Sequence, residues 1–297
     1  MPVLRSRVGP LLATLLLVAG AAVAPAQEPA RHFLWTVRSD GPGVAYLLGS
    51  LHVLTPDAYP LPAPIERAFA ESGTLVEEID LGEMEQPATL MAMMGKALFL
   101  DGRTLDGVID AALFARVAAA AEAAGLPRAA VQRAKPWMAA MLLTGPAIAR
   151  AGFDPAHGVD RHFFERAREA GMPIEALESV AYQLDRFDQM PMTAQAAMLE
   201  AVLDDIDTQV SQVQVIADAW RRGDVEALER LLLAAFESSP EMHERLLLER
   251  NRAWVPKVEA CLARSRPCFV VVGAAHLVGA DSLVALLRAK GYAVTQQ

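Results

Sequence analysis

The sequence predicts an α/β protein with a mixed, mostly parallel central sheet, an N-terminal β-hairpin and two helical insertions. Three features carry this expectation. Short apolar runs alternate with helical stretches, the pattern of a mostly parallel sheet under helical cover. A Gly-Pro-Gly triplet, Gly41 to Gly43, separates the first two runs as a hairpin turn does. Two long stretches, about 86–150 and 181–263, carry Ala, Leu and Met at helical spacing and read as helical inserts.

Residues 1–26 are set aside before the fold is argued. Arg5 and Arg7 precede an apolar run, Leu11 to Val23, that is too short to cross a bilayer alone, and Ala24-Pro25-Ala26 is a small-x-small cleavage signature. They read as a secretory signal peptide, with an uncleaved N-terminal anchor as the competing reading. The expected mature chain, 27–297, is a single domain, periplasmic or secreted, with no stable membrane insertion after cleavage. Losing Arg5 and Arg7 takes the formal net charge from −9 to −11. So acidic a chain, with no basic run, argues against nucleic acid and anionic lipid as partners.

The elements follow in order. "HFLWTVRSD" and "VAYLLGSLHV" flank the Gly-Pro-Gly turn as hairpin strands. Ile65 to Gly73 is a short amphipathic helix closed by Gly73, and "TLVEEIDL", Thr74 to Leu81, is a third strand. After the first insert come a helix from about Asp160 to Ala170, a Gly-Met-Pro break and a strand through Ile174 to Leu177. The second insert leads to strand "CFVVVG", helix "DSLVALLRAKG" and strand "YAVTQ". The two cysteines, Cys261 and Cys268, flank a short helix-to-strand loop. They can close it as a disulfide in an oxidising compartment or stay as buried thiols, and the spacing suits no metal site.

Two apolar runs stop at the same ending, Gly-x-x-His: Gly49 to His52 and Gly273 to His276. Parallel strands deliver functional residues at their carboxyl ends, where open α/β sheets bind ligands. Glycine lets backbone or ligand approach closely, and neutral imidazole is both a metal ligand and a general base. A lone histidine after a strand is more often a hydrogen-bonded structural residue; two in one context point to a site. His32, His157, His162 and His243 lie outside any such context and are expected to be structural. "HGVDRH" lacks the H-E-x-x-H arrangement, and no G-x-S-x-G elbow, P-loop or G-x-G-x-x-G occurs.

"YLLGSLHV", "EEID", "GVDRHFFERAREAGMPIEALESVAYQL", "RNRAWVPKVE" and "FVVVGAAHLVGADSLVALLRAKGYAV" together resemble the TraB/GumN family, which is related to the TIKI metalloproteases. The resemblance implies a secreted or periplasmic metal-dependent hydrolase of the peptidase kind, acting on a peptide or small-molecule substrate. It implies a divalent metal, manganese, cobalt or zinc, on His52, His276 and an acid of the Glu-aliphatic-Asp strand. That acid falls on Glu78, with Asp80 two along; strand alternation puts Glu78 and Asp80 on one face and Glu77 on the other. Two imidazoles and a carboxylate match catalytic zinc sites and suit manganese, leaving open positions for water. The reading from another class is a non-catalytic protein that sequesters a peptide or other ligand.

Weaker candidates surround this set. Glu178, at the carboxyl end of "PIEAL", is a further ligand or general base, or a helix-start acid. Asp160 is a site residue or an N-cap. Gln183 matches a recurrent family glutamine of no assigned role. Arg250, with Arg252 across Asn251, pins a substrate carboxylate or pairs with helix neighbours such as Glu249. Met91, Met93 and Met94 read as core packing before a peptide-gripping surface.

Overall fold

In a computed structural model, which describes residues 31–297 apart from 205 and 238, the chain opens with strands β1 (Leu34–Arg38) and β2 (Val44–Ser50). They pair antiparallel around the Gly-Pro-Gly turn. Gly43 is needed there because an added Cβ would lie 1.7 Å from the Leu262 carbonyl oxygen. The leader expected over 1–26 lies outside the described residues.

Four further strands are β3 (Thr74–Glu77), β4 (Ile174–Ala176), β5 (Cys268–Gly273) and β6 (Ala293–Gln296). The sheet order is β4-β3-β5-β2-β1-β6. The run β4-β3-β5-β2 is parallel, while β1 pairs antiparallel with both β2 and β6. Central β5 is buried from Cys268 to Val272, which is why its text is continuously apolar: helices cover both faces. The expected mixed, mostly parallel sheet is therefore present.

Helix α1 (Ala63–Glu71) joins β2 to β3 and buries Ile65, Ala68 and Phe69 on one face. β3 stops at Glu77, short of the expected Leu81, because the chain turns away to start a helix. Asp80 caps that helix by accepting from the Gly82 amide at 2.8 Å. Next come α2 (Leu81–Met84), α3 (Pro87–Ala97), α4 (Ala111–Ala123), α5 (Arg128–Arg133) and α6 (Pro136–Arg150). The chain returns to the sheet through α7 (Val159–Glu169), just before β4.

The second helical stretch comprises α8 (Val180–Asp188), α9 (Met192–Asp204), α10 (Ile206–Arg221), α11 (Val225–Leu233) and α12 (Pro240–His243). A π turn, Glu244–Leu248, leads from α12 into α13 (Glu249–Leu262), and α14 (Leu283–Ala289) joins β5 to β6. The two stretches share a core away from the sheet, where Phe114, Val131 and Leu143 meet Leu199 of α9. Each such side chain, fully buried, contributes about 1.5–3 kcal/mol. Lys96 and Lys135 pair with Asp185 and Asp188 of α8, fixing the starts and ends of these helices to one another.

Cys261 and Cys268 are joined as a disulfide that ties the end of α13 to the start of β5. Among the described residues, no helix is long and apolar enough to cross a membrane.

Candidate functional site

Parallel pairing explains the repeated ending. β2 and β5 are parallel neighbours, with Ser50 opposite Gly273, so both Gly-x-x-His stretches finish at the same, carboxyl-terminal end of these strands. Their glycines do different work. At Gly49 a Cβ would sit 2.2 Å from the Phe33 ring, and the Gly49 carbonyl accepts from the Trp220 indole at 2.6 Å. Gly49 is thus a packing glycine. At Gly273 a Cβ would lie 3.1 Å from Glu78 Oε1, 3.7 Å from His52 Nε2 and 3.7 Å from His276 Cδ2. Its bare Cα clears space among three candidate site side chains.

Beneath that point lies a buried polar layer. His276 Nδ1 donates to Asn251 Oδ1 at 2.6 Å, and Asn251 is itself fixed by donating to the Asp281 carbonyl at 3.0 Å. That leaves His276 Nε2 to accept from Arg250 Nη1 at 3.0 Å. Burial first, then Arg250 and His52, push the His276 pKa down to about 3 against the pull of Glu78, so it is neutral. Arg250 also donates to Glu78 Oε2 and, at 3.0 Å, to Glu178, while its guanidinium lies over the Trp254 ring. The Trp254 indole also donates to Glu178, at 3.0 Å.

Glu78 is the hub of this layer. Its Oε1 accepts from the Gly273 amide at 2.6 Å and its Oε2 from Gln183 at 3.0 Å as well as from Arg250. Burial alone would raise its pKa. Arg250, His276, His52 and the Gly273 amide overcome that and hold it at about 2.

Above the layer opens a cleft of about 690 Å³, into which His52, Glu77, Glu78 and Asp160 all face. The His52 side chain is 66 % exposed and therefore within reach of a ligand. Its Nδ1 meets Asp160 Oδ1 at 3.2 Å, leaving Nε2 toward Gly273. Asp160 raises the His52 pKa to about 9, with Glu78 adding to the effect. Asp160 arrives there because α7 starts against the His52 backbone: a Cβ on Gly158 would lie 2.5 Å from the His52 carbonyl oxygen. Glu77 is buried with both carboxylate oxygens unpartnered. Burial, then Asp160, Asp80 and Glu78, drive its pKa up to about 9, so it is a neutral acid at pH 7.

Comparison with known proteins places this architecture. A model of the TraB/PrgY/gumN family matches residues 33–296, nearly all of the described chain. The chain belongs to the TraB/PrgY/gumN family. Among its relatives is the uncharacterized protein YbaP of Shigella flexneri, 24 % identical over 261 residues, covering 86 % of this chain and 94 % of the relative. YbaP of Escherichia coli (strain K12) aligns to the same extent. No solved structure matches the chain.

In this TraB/PrgY/gumN chain, His52, Glu78 and His276 converge about Gly273, but on different terms. His52 Nε2 and Glu78 Oε1 face the cleft, whereas His276 Nε2 is engaged by Arg250. A three-donor metal shell therefore fits only if Arg250 gives up His276. The buried guanidinium already supplies the positive charge that balances Glu78. Among the described residues, no three His, Cys, Asp or Glu side chains group closely enough to hold one ion.

Several expectations change. Glu178 and Arg250, read as catalytic candidates, form a buried ion pair under the cleft, their side chains only 5 % and 8 % exposed. Both are saturated by protein partners: Arg250 holds Glu78 and His276, and Glu178 is held by Arg250 and Trp254. The alternative partner for Arg250, Glu249, pairs instead with Arg186 at 2.7 Å. Asp160 is no N-cap, since Gly158 holds that position and the Asp160 carboxylate is turned to His52. Glu77 and Glu78 face one cleft because Glu78 lies past the last strand residue, where alternation no longer governs side-chain direction. Met91 and Met94 are exposed rather than core. Asn251, Trp254 and Ser50, a buried hydroxyl without a partner, were not singled out for the site. The signal available for Asn251 and Trp254 was their helical spacing from Arg250, one and four residues on.

Proposed function

We propose that the cleft is a hydrolase site for acyl bonds of a peptide or peptide-like small molecule, with His52 and Glu78 as its catalytic residues. The observation that carries this is that both approach the space left by the missing Cβ of Gly273, one group protonated and the other ionised. Glu78 accepts a proton from the attacking water as its oxygen bonds to the carbonyl carbon. His52 donates its Nε2 proton to the leaving nitrogen or oxygen as that bond breaks. The Glu78 proton then returns to His52 through solvent, and the pair is restored. Asp160 orients His52 through Nδ1, as the third member of a catalytic triad does.

A second reading, metal-dependent hydrolysis, is favoured by the negative potential that raises His52. A manganese, cobalt or zinc ion between His52 and Glu78 would supply Lewis acidity and activate water. Export to the periplasm or beyond belongs to both readings, supported by the leader-like residues 1–26 and the Cys261–Cys268 disulfide.

The test is cleavage of a peptide library by wild type, His52→Ala and Glu78→Gln, each with and without chelator. Both variants are expected to lose turnover by at least about a hundredfold while unfolding at wild-type denaturant midpoints. Loss of wild-type activity in chelator, restored by one of the three metals, selects the metal reading. Variants that cleave as wild type does sink the assignment of the pair, and wild type that binds peptides without cleaving any is a sequestering protein.

A further inference from the structure

Helix α3 is apolar apart from Thr89 and Lys96, yet of its residues only Ala97 is buried. Leu90, Met91 and Met94 are 48 %, 75 % and 59 % exposed, and Leu100 beyond the helix is 68 % exposed. With Met138 and Leu142 of α6 they line a groove of about 770 Å³, the size of a ligand site rather than of a flat contact. A contiguous apolar face of this kind is normally covered, so one left bare marks a binding surface.

We propose that this groove binds the apolar side chains of an extended polypeptide whose next residues lie in the cleft; the inference rests on the hydrolase reading for what happens to that polypeptide. Leu90 lines both the groove and the cleft, so a chain leaving one enters the other. Methionine side chains are flexible and polarisable, and they repack around ligands of differing shape. The groove accordingly selects for apolar character rather than for one sequence. A second copy seated on α3 would close the mouth shared with the cleft. An anionic membrane is opposed by the chain's formal charge of −9.

The experiment titrates a short labelled peptide, with Leu, Met and Phe at alternate positions, against wild type, Met94→Glu and Leu100→Glu by fluorescence polarisation. A counterpart with Ser at those positions is the control. Both substitutions fall on exposed side chains, so the fold is retained. Wild type is expected to prefer the apolar peptide about tenfold or more, and each variant to lose about that factor, as an apolar contact is replaced by a charge that must be desolvated. Binding with that pattern but without cleavage supports the groove and sinks the hydrolase reading. Equal binding by all three proteins overturns the proposal. So does a wild-type dimer that Met94→Glu dissociates in light scattering, which would assign the groove to a second copy. Flotation with phosphatidylcholine vesicles, lost in Met94→Glu and without peptide preference, would assign it to a membrane.

Discussion

Glu77 and Glu78 show how strongly environment can separate the ionisation of adjacent carboxyl groups. Glu78 has an arginine, an amide hydrogen and two imidazoles around it and is ionised; Glu77 is buried without a hydrogen-bond partner, with Asp160, Asp80 and Glu78 outweighing Arg161, and is protonated. The consequence for stability has a definite sign. The Glu77 pKa rises on folding from its ordinary 4.5 to about 9. Between those pH values the folded state holds a proton that the unfolded state has lost, so this residue makes stability fall as pH rises through that window. By pH 7 the loss is roughly 3 kcal/mol at about 1.4 kcal/mol per pH unit. Glu77→Gln, which cannot ionise, should flatten the slope of unfolding free energy against pH between about 5 and 9, measured by urea titration at several pH values. An unchanged slope would mean that Glu77 is ionised in the folded chain.

At the scale of elements, α13 decides what the site can be. It places Arg250 beneath Glu78, Asn251 against His276 and Trp254 against Glu178, all from one helical surface. Arg250→Met would leave Glu78 and Glu178 buried without a counter-charge. Breaking such a pair from one side typically costs about 3–5 kcal/mol, because an uncompensated charge is left behind. The expected loss at neutral pH should shrink on acidification as both carboxyls protonate, which urea unfolding at pH 7 and pH 4 would show. A loss as large at pH 4 would point to packing rather than charge. The end of β3 matters equally: a longer strand would have separated Glu77 from Glu78 by alternation. The Asp80 cap stops the ladder and brings both into one cleft.

At the scale of the molecule, the site is assembled from segments far apart in sequence. His52 follows β2, Glu78 follows β3, Asp160 begins α7, Arg250 lies on α13 and His276 follows β5. The Cys261–Cys268 bridge locks the end of α13 to the start of β5, and so secures the two segments that carry Arg250 and His276. Closing a loop this short restricts the unfolded chain enough to contribute about 2–3 kcal/mol. Reduction, or the pair Cys261→Ala with Cys268→Ala, should lower the thermal midpoint in calorimetry. The intact oxidised chain should weigh two hydrogens less than the reduced one. Equal midpoints in oxidised and reduced protein would show that the bridge carries no stability.

The sequence by itself determined the α/β class, the hairpin, the buried central strand and the repeated ending that brings the segments of His52 and His276 together at neighbouring strands. Those depend on periodicity, turn chemistry and repeated local context, all written along the chain. Only tertiary structure decided what each charged side chain does. Burial and neighbours set ionisation, and those neighbours come from distant segments. Thus Arg250 engages His276 and balances Glu78, Asp160 orients His52, and Glu77 carries a proton. It also decided that Met91 and Met94 of α3 stay uncovered, because an apolar helical face reads the same whether a core or only solvent lies against it.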